Sequence, residues 1–198
     1  MNSECSRYFV HHTAEVESRV IIGDGAKIWN HAQLRAGCTV GMNTNISKNV
    51  FIDQDCAVGA NVKIQNNVSV YRGVVIEDDV FVGPSAVFTN DLYPRANNLK
   101  WEIVNTYIRK GASIGAGAVI VCGCEIGRYS MIGAGALVCN DIDESQLVVG
   151  NPAKLVGHVY KSGKRIQKTE INADTLIATC TESGESVKIK AKDMYIYT

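Results

Sequence analysis

Between residues 20 and 88 an aliphatic side chain, or once a Phe, returns at every sixth position without a miss: Ile22, Ile28, Leu34, Val40, Ile46, Ile52, Val58, Ile64, Val70, Ile76, Val82 and Phe88. Two places before each stands a small or modest residue, among them Ala26, Ala32, Cys38, Thr44, Cys56 and Ala86. After an interruption the beat returns 26 residues beyond Phe88, two more than four hexads, at Ile114, Ile120, Ile126, Ile132 and Val138, giving seventeen hexads in all. Side chains alternate along an extended chain, so each aliphatic and its partner two places earlier point the same way. A fixed hexapeptide period predicts a parallel β-helix in which each hexad is one short strand plus a corner. With three hexads to a coil, residues eighteen apart stack about 4.8 Å apart. The aliphatics then fill a prism interior of about six coils, and their burial is the main stabilising contribution.

Stacking by eighteen sorts the corners into three columns. The first reads Gly23-Asp24-Gly25, Gly41-Met42-Asn43, Gly59-Ala60-Asn61 and Glu77-Asp78-Asp79, continued by Gly115-Ala116-Gly117 and Gly133-Ala134-Gly135. That is turn chemistry, in which Gly, Asn and Asp reach positive φ cheaply, and it reads as structural. The second column stacks Trp29-Asn30-His31, Ser47-Lys48-Asn49, Gln65-Asn66-Asn67 and Gly83-Pro84-Ser85. The third stacks Arg35-Ala36-Gly37, Asp53-Gln54-Asp55, Tyr71-Arg72-Gly73 and Thr89-Asn90-Asp91. Columns two and three place large polar side chains where glycine would suffice, so function is expected there.

Three segments follow from the repeat. Residues 1–19 read as a lead-in or cap over the first coil, since an uncapped coil end exposes strand edges. Residues 20–156 read as the prism, broken by an excursion over 89–111 that contains Tyr93, Pro94, Trp101 and Tyr107. A loop of that length without repeat character is a functional candidate, and its aromatics favour an ordered loop packed on a neighbouring subunit. Residues 157–198 show no hexad; weak alternation and a turn at Glu182-Ser183-Gly184 predict a small β appendage.

Composition removes several classes. The chain carries 20 basic and 20 acidic residues, which gives no electrostatic case for nucleic acid or an anionic membrane. No basic-then-apolar signal segment opens the chain, and no apolar run reaches membrane-spanning length. Of the seven cysteines, Cys38, Cys56 and Cys124 take the small inward position, where a thiol acts as a small hydrophobe. Cys122-Gly123-Cys124 lacks a second cluster at zinc-site spacing, so no metal is expected. A reduced cytoplasmic protein is the simplest reading.

The phased hexads, the loop opening Phe88-Thr-Asn-Asp-Leu-Tyr-Pro-Arg95 and the exit Val149-Gly-Asn-Pro-Ala-Lys154 resemble the left-handed β-helix acyltransferases over about residues 10–157. Left-handed crossovers run against the usual rule for parallel strands, so the resemblance alone supplies the handedness. Within that superfamily, Lys63-Ile-Gln-Asn-Asn-Val-Ser-Val-Tyr71 and Val82-Gly-Pro-Ser-Ala-Val-Phe-Thr-Asn-Asp-Leu-Tyr-Pro-Arg95 are similar to the nucleotide-sugar 3-amino N-acetyltransferases. The resemblance implies acetyl transfer from acetyl-CoA to the amine of a nucleotide-linked aminodeoxysugar in surface-polysaccharide synthesis. It also implies a homotrimer with acetyl-CoA in the groove between prisms; a flat face with few charges independently favours side-by-side association. Relatives acting on dTDP-3-amino-3,6-dideoxyhexoses and on UDP-2-acetamido-3-amino-2,3-dideoxy-hexuronates are both near. The Asn90-Asp91 pair favours the dTDP side.

The histidines bear on the nucleophile. A hydroxyl acceptor needs a general base, commonly a histidine, and the chain has only His11, His12, His31 and His158, none in the excursion. A ring amine beside electron-withdrawing oxygens titrates near pH 8, as an α-amino group does, leaving about a tenth as free base at pH 7. Such an amine can attack the thioester directly, and the departing thiolate can take the proton. Asn90 and Asp91 are the candidates for orienting or polarising it, against a plain turn reading. Arg72 and Arg95 are candidates for a diphosphate, and Gln65, Asn66 and Tyr71 for the sugar or base. The resemblance puts the pantetheine along backbone around Ala112, Gly115 and Ala118, and the CoA phosphates near Arg109, Lys110 and Lys154. A γ-type carbonic anhydrase shares the prism but needs three histidines converging on zinc, which His31 alone cannot supply. An O-acetyltransferase would lose activity on mutation of one His. A non-catalytic scaffold would release no thiol from acetyl-CoA.

Overall fold

The computed structural model describes residues 7–98, 100 and 102–197; Trp101, counted above in the excursion, lies outside them. Each hexad forms a strand of two residues, occasionally three, and the strands stack in parallel into three faces. The first face runs through Phe9–Val10, Lys27–Ile28, Asn45–Ile46, Lys63–Ile64, Phe81–Val82, Ser113–Ile114, Met131–Ile132 and Gln146–Val149. The second extends from Glu15–Val16 to Leu137–Val138, and the third from Ile21–Ile22 to Glu125–Ile126. Lys27 lies opposite Asn45 and Asn45 opposite Lys63, the expected step of eighteen. Ile28, Leu34, Ile46, Ile52 and Ile64 are wholly buried, with Ala26, Ala32 and Cys38 beside them. The interior is one continuous aliphatic column.

The corners explain the polar half of each hexad. Their third residue takes positive φ at Asn43, Asn49, Asp55, Asn61, Asn67 and Asp79, and at Gly25, Gly37 and Gly117. This is the left-handed conformation that Gly, Asn and Asp tolerate best. Their amide and carboxylate heads also stack: Asn43 donates to Asn61 at 3.4 Å, and Asn61 to Asp79 at 3.0 Å. Gly23 is required for another reason. A Cβ there would sit 2.5 Å from the Met42 nitrogen of the next coil.

Four expectations change. The coils begin before residue 20, because Phe9 pairs with Lys27 and Glu15 with Gln33; Val10 and Val16 already keep the six-residue phase. Counting back to Phe9 and on to Gln146–Val149 gives the first face eight parallel strands, so the prism has about eight coils where the repeat count suggested six. The excursion is shorter than 89–111. Thr106–Ile108 is a strand paired with Val74–Ile76, with Thr106 and Ile108 wholly buried as an inward pair, and Arg109-Lys110-Gly111 is its corner.

The fourth change follows from the third. Partners across the break are 32 residues apart rather than 18, as in Phe81 with Ser113 and Val87 with Val119. Fourteen inserted residues are no multiple of six, so the corners after the break belong to other columns than the uninterrupted count assigned. Gly115-Ala116-Gly117 stacks on Gly83-Pro84-Ser85 in the second column, where Gly117 N–H donates to the Pro84 carbonyl. The first column continues instead through Arg109-Lys110-Gly111 and Gly127-Arg128-Tyr129, where Gly111 N–H reaches Asp78 and Tyr129 N–H reaches Lys110. It is therefore not a bland turn column.

After Val149 the chain reverses, and Lys154–His158 runs antiparallel to Gln146–Val149. A three-stranded antiparallel sheet follows (Ile171–Asn172, Ile177–Thr179, Ser186–Lys188), then a 3-10 segment over Ala191–Tyr197. This appendage has a small core of its own made of Tyr160, Ile166, Ala178, Cys180 and Ile189. A buried polar contact joins it to the prism: His158 Nε2 lies 3.4 Å from Asp193 Oδ2, and Gln146 donates to the same oxygen at 3.0 Å. No helix among the described residues is long and apolar enough to cross a membrane.

Candidate active site

The third corner, between the second and third faces, carries the excursion. Asn90 Nδ2 donates to the Arg72 carbonyl one coil below at 3.2 Å. The Asn90 carbonyl in turn accepts from Val104 N–H, also 3.2 Å, which draws the two ends of the excursion together. Thr89 Oγ1 accepts the Cys122 N–H of the next coil at 2.9 Å. The Asn90 amide is thus held from both sides, with its side-chain oxygen left as an acceptor. Asp91 Oδ1 accepts the Tyr93 N–H at 2.9 Å, an Asx turn that opens the excursion. Its other oxygen takes no part in that turn. Asn90 and Asp91 line an open hollow of about 360 Å³ together with Arg95, Ala96 and Asn98. The repeat gave no signal for Ala96 and Asn98, because they lie on the aperiodic stretch.

The other substrate candidates are dispersed. Arg72 is directly beneath Asn90, but its guanidinium pairs with Asp55 at 3.3 Å and its N–H is 3.3 Å from Asp53 Oδ2. Arg95 is at the hollow, donating to the Pro94 carbonyl at 2.8 Å. Tyr71, half exposed on the coil below Thr89, leans on Phe51 with ring centroids 6.0 Å apart; Phe51 is an aromatic that sequence reasoning missed, in an ordinary outward strand position. Gln65 and Asn66 sit on the second corner, away from Asn90. There Asn67, and not Asn66, forms the side-chain ladder, accepting from Asn49 at 3.2 Å.

The coenzyme candidates are more constrained than the sequence implied. Arg109 lies in a bidentate fork on Glu125, at 2.8 and 2.9 Å, and reaches Glu77 at 2.9 Å. Those contacts, Glu125 first and Glu77 second, raise its already high pKa. Burial pushes the Glu77 carboxyl up, but hydrogen bonds from Arg109 and the Lys110 N–H hold it below its ordinary value. Lys110 pairs with Asp79 at 3.3 Å. Ala112 and Ala118 are wholly buried in the interior. The N–H groups of Ala112, Gly115 and Ala118 donate to Arg109, Ile132 and Gly115 carbonyls, so they are not open donors. Lys154 is exposed at the start of the antiparallel return strand.

Two features flank the third corner. Outward positions of the second face read Phe51, Ser69, Val87, Val119 and Leu137; those of the third read Ile21, Thr39, Ala57, Val75 and Tyr107. None of these is charged; charge enters only at the ends, with Glu15 on the first strand of the second face and Glu125 on the last strand of the third, while the first face presents Lys27 and Lys63 mid-stack. The histidines are elsewhere. His11 and His12 lie in the first coil, their rings 4.3 Å apart. His31 turns the second corner at φ 57, and His158 is buried at the appendage. Among the described residues no group of three or more His, Cys, Asp or Glu could hold a metal ion.

The sequence matches the bacterial transferase hexapeptide (six repeats) family over residues 19–54, 55–90 and 105–140. The gap between the last two blocks falls on the excursion. The chain belongs to the hexapeptide-repeat transferases. Its coils are accordingly those of a left-handed parallel β-helix. Among relatives of this family, a dTDP-3-amino-3,6-dideoxy-α-D-galactopyranose 3-N-acetyltransferase of Aneurinibacillus thermoaerophilus is 40% identical over 167 residues, 84% of this chain and 86% of the relative. A hexapeptide-repeat acetyltransferase of Vibrio cholerae O1 biovar eltor, solved with acetyl-coenzyme A, is 26% identical at TM-score 0.55 and covers 63% of this chain and 72% of that one. A maltose O-acetyltransferase of Clostridium difficile 630 is 25% identical at TM-score 0.55, over 61% and 69%.

Proposed function

We propose that this hexapeptide-repeat transferase moves acetyl from acetyl-CoA to the 3-amino group of a dTDP-linked 3-amino-3,6-dideoxyhexose, in surface-polysaccharide synthesis. The carrying observation is the hollow at the third corner, where Asn90 is fixed by the Arg72 carbonyl, Asp91 stands beside it and no described histidine lines the wall. Asn90 Oδ1 accepts one amine hydrogen and aims the lone pair at the thioester; Asp91 holds the ammonium until it loses its proton. The amine nitrogen bonds to the acetyl carbon, the carbon–sulfur bond breaks, and the thiolate takes the proton. Direct attack needs no further base, because a useful fraction of the amine is free at neutral pH. The 40% identical relative supports the dTDP-linked 6-deoxy acceptor over a UDP-linked hexuronate, and Asp91 would repel a second carboxylate.

Acetyl-CoA is the donor in this reading, and the Vibrio relative is solved in complex with acetyl-CoA. The second face from Phe51 to Leu137 and the third from Ile21 to Tyr107 present uncharged outward side chains and meet at the corner that bears Asn90, so a homotrimer packed on them would place each hollow in a groove between subunits. Val87, Val119 and Leu137 form the apolar wall that suits the pantetheine arm. This wall replaces the buried alanines of the sequence reading. Thiol release from acetyl-CoA is the test. A dTDP-3-amino-3,6-dideoxyhexose should drive it, and a UDP-2-acetamido-3-amino-hexuronate should drive it far more slowly. Release with neither acceptor contradicts the proposal.

A further inference from the structure

Two thiols stand on the same corner as Asn90, one and two coils further along, and acetyl transfer by amine attack uses neither. Cys122 follows Ile120 by two residues and Cys139 follows Val138 by one, on strands where Ile120 lies opposite Val138. Adjacent strands about 4.8 Å apart and a one-residue offset put the two Cα atoms about 5–6 Å apart, inside the range a disulfide spans. Both are free thiols, Cys139 exposed and Cys122 only 5% exposed. Cys124, buried at 3% exposure on the inner side, feels both: burial chiefly, then Asp141, Cys139 and Cys122, pushes its thiol up to about 11.

We propose that Cys139 and Cys122 are a reversible oxidation site, closed to an intrachain disulfide by a low-molecular-weight disulfide, and that closure slows acetyl transfer. The exposed Cys139 thiolate attacks one sulfur of R–S–S–R, giving a Cys139 mixed disulfide and releasing one RSH after protonation. The Cys122 thiolate then attacks the Cys139 sulfur and releases the second RSH. Two protein thiols are oxidised, one small disulfide is reduced, and both cysteine protons leave on the released thiols. The buried partner needs no access to solvent, since its step is intramolecular. The corner couples the bond to the hollow: Cys122 N–H holds Thr89 Oγ1, the neighbour of Asn90, and Gly123 N–H holds Thr106 Oγ1 at 3.2 Å where the excursion ends. A cross-link that shifts Cys122 displaces both ends of the excursion.

The effect on turnover rests on the proposed function, whereas the cross-link does not, so the two are read separately. The full chain is treated with oxidised glutathione, digested and mapped by mass, and assayed for thiol release before and after removal of excess reagent. The expected result is a Cys122–Cys139 peptide with the loss of two hydrogens, and a rate lower by at least about tenfold, restored by dithiothreitol. Cys122→Ser should trap glutathione on Cys139, and Cys139→Ser should keep its untreated rate and resist the treatment. Glutathione stably on Cys139 of the wild type, or no modification there, overturns the site. A mapped cross-link with an unchanged rate overturns the control of transfer. A protein with no acetyl transfer at all contradicts the proposed function and leaves the mapping as the judge of the site.

Discussion

The prism and the appendage are held together in opposite ways. In the prism each coil repeats the same two inward side chains, and one aliphatic column runs from Ala26 to Val148. Losing one contact leaves its neighbours intact above and below, as in other stacked repeats. The appendage has five buried core residues and three short antiparallel strands. It depends on a specific polar contact, in which His158, Gln146, Asp193 and Tyr197 satisfy one another, and on Lys190 and Lys192 meeting Asp143 at the last corner. Redundant burial gives a rigid base for a site, while a single buried network is an all-or-none latch.

That contrast sets the sizes of the expected effects. Phe88→Ala removes a wholly buried ring from the coil that launches the excursion and should cost about 3–5 kcal/mol, read as a lower denaturant midpoint for the prism. Asp193→Ala leaves His158 and Gln146 buried without their partner and should cost about 1–3 kcal/mol. Its signature is faster hydrogen exchange over 159–197 with the prism unchanged. Equal loss of protection in both regions would break the comparison.

A pH series sharpens it. Burial, the dominant cause, lowers the His158 pKa, against the opposing pull of Asp193 and Asp143. A depressed value means the docked ring is neutral while the undocked one gains a proton first. Docking is therefore complete above about pH 6.5 and weakens as pH falls towards the lowered value. Hydrogen exchange at about pH 7.5 and 5.5 should show loosening in the appendage only. Arg109→Met should have the smallest effect, about 1 kcal/mol or less, because Glu77 and Glu125 are partly solvated.

The same contrast explains what could be read from sequence. The prism interior was legible because its period is short, unbroken and chemically simple. Val10 and Val16 obey the phase of the first twelve hexads and Ile108 that of the later five, yet all three were lost: the first two because polar neighbours masked them, the last because it hides after an excursion of no whole number of hexads. That slip also hid that Arg109, read as part of the excursion, stacks in the column read as plain turns. At the site, Asn90 and Asp91 were legible from the break in the repeat, but Ala96 and Asn98 were not, since an aperiodic loop carries no positional code. Arg109 and Lys110 looked like phosphate ligands because a lone basic residue in a sequence does not reveal the carboxylates that fold onto it. The appendage latch was illegible for the same reason, its contacting pairs lying 35 to 47 residues apart along the chain.

The central claim is that acetyl transfer belongs to the third corner of the prism. The direct measurement is thiol release from acetyl-CoA with a dTDP-3-amino-3,6-dideoxyhexose, comparing wild type, Asn90→Ala and Asp193→Ala at pH 7.5. Asn90→Ala should lose about tenfold or more in turnover with its assembly intact, and Asp193→Ala should keep its rate within about twofold. A wild-type rate for Asn90→Ala and for Asp91→Ala, measured alongside, would contradict the account.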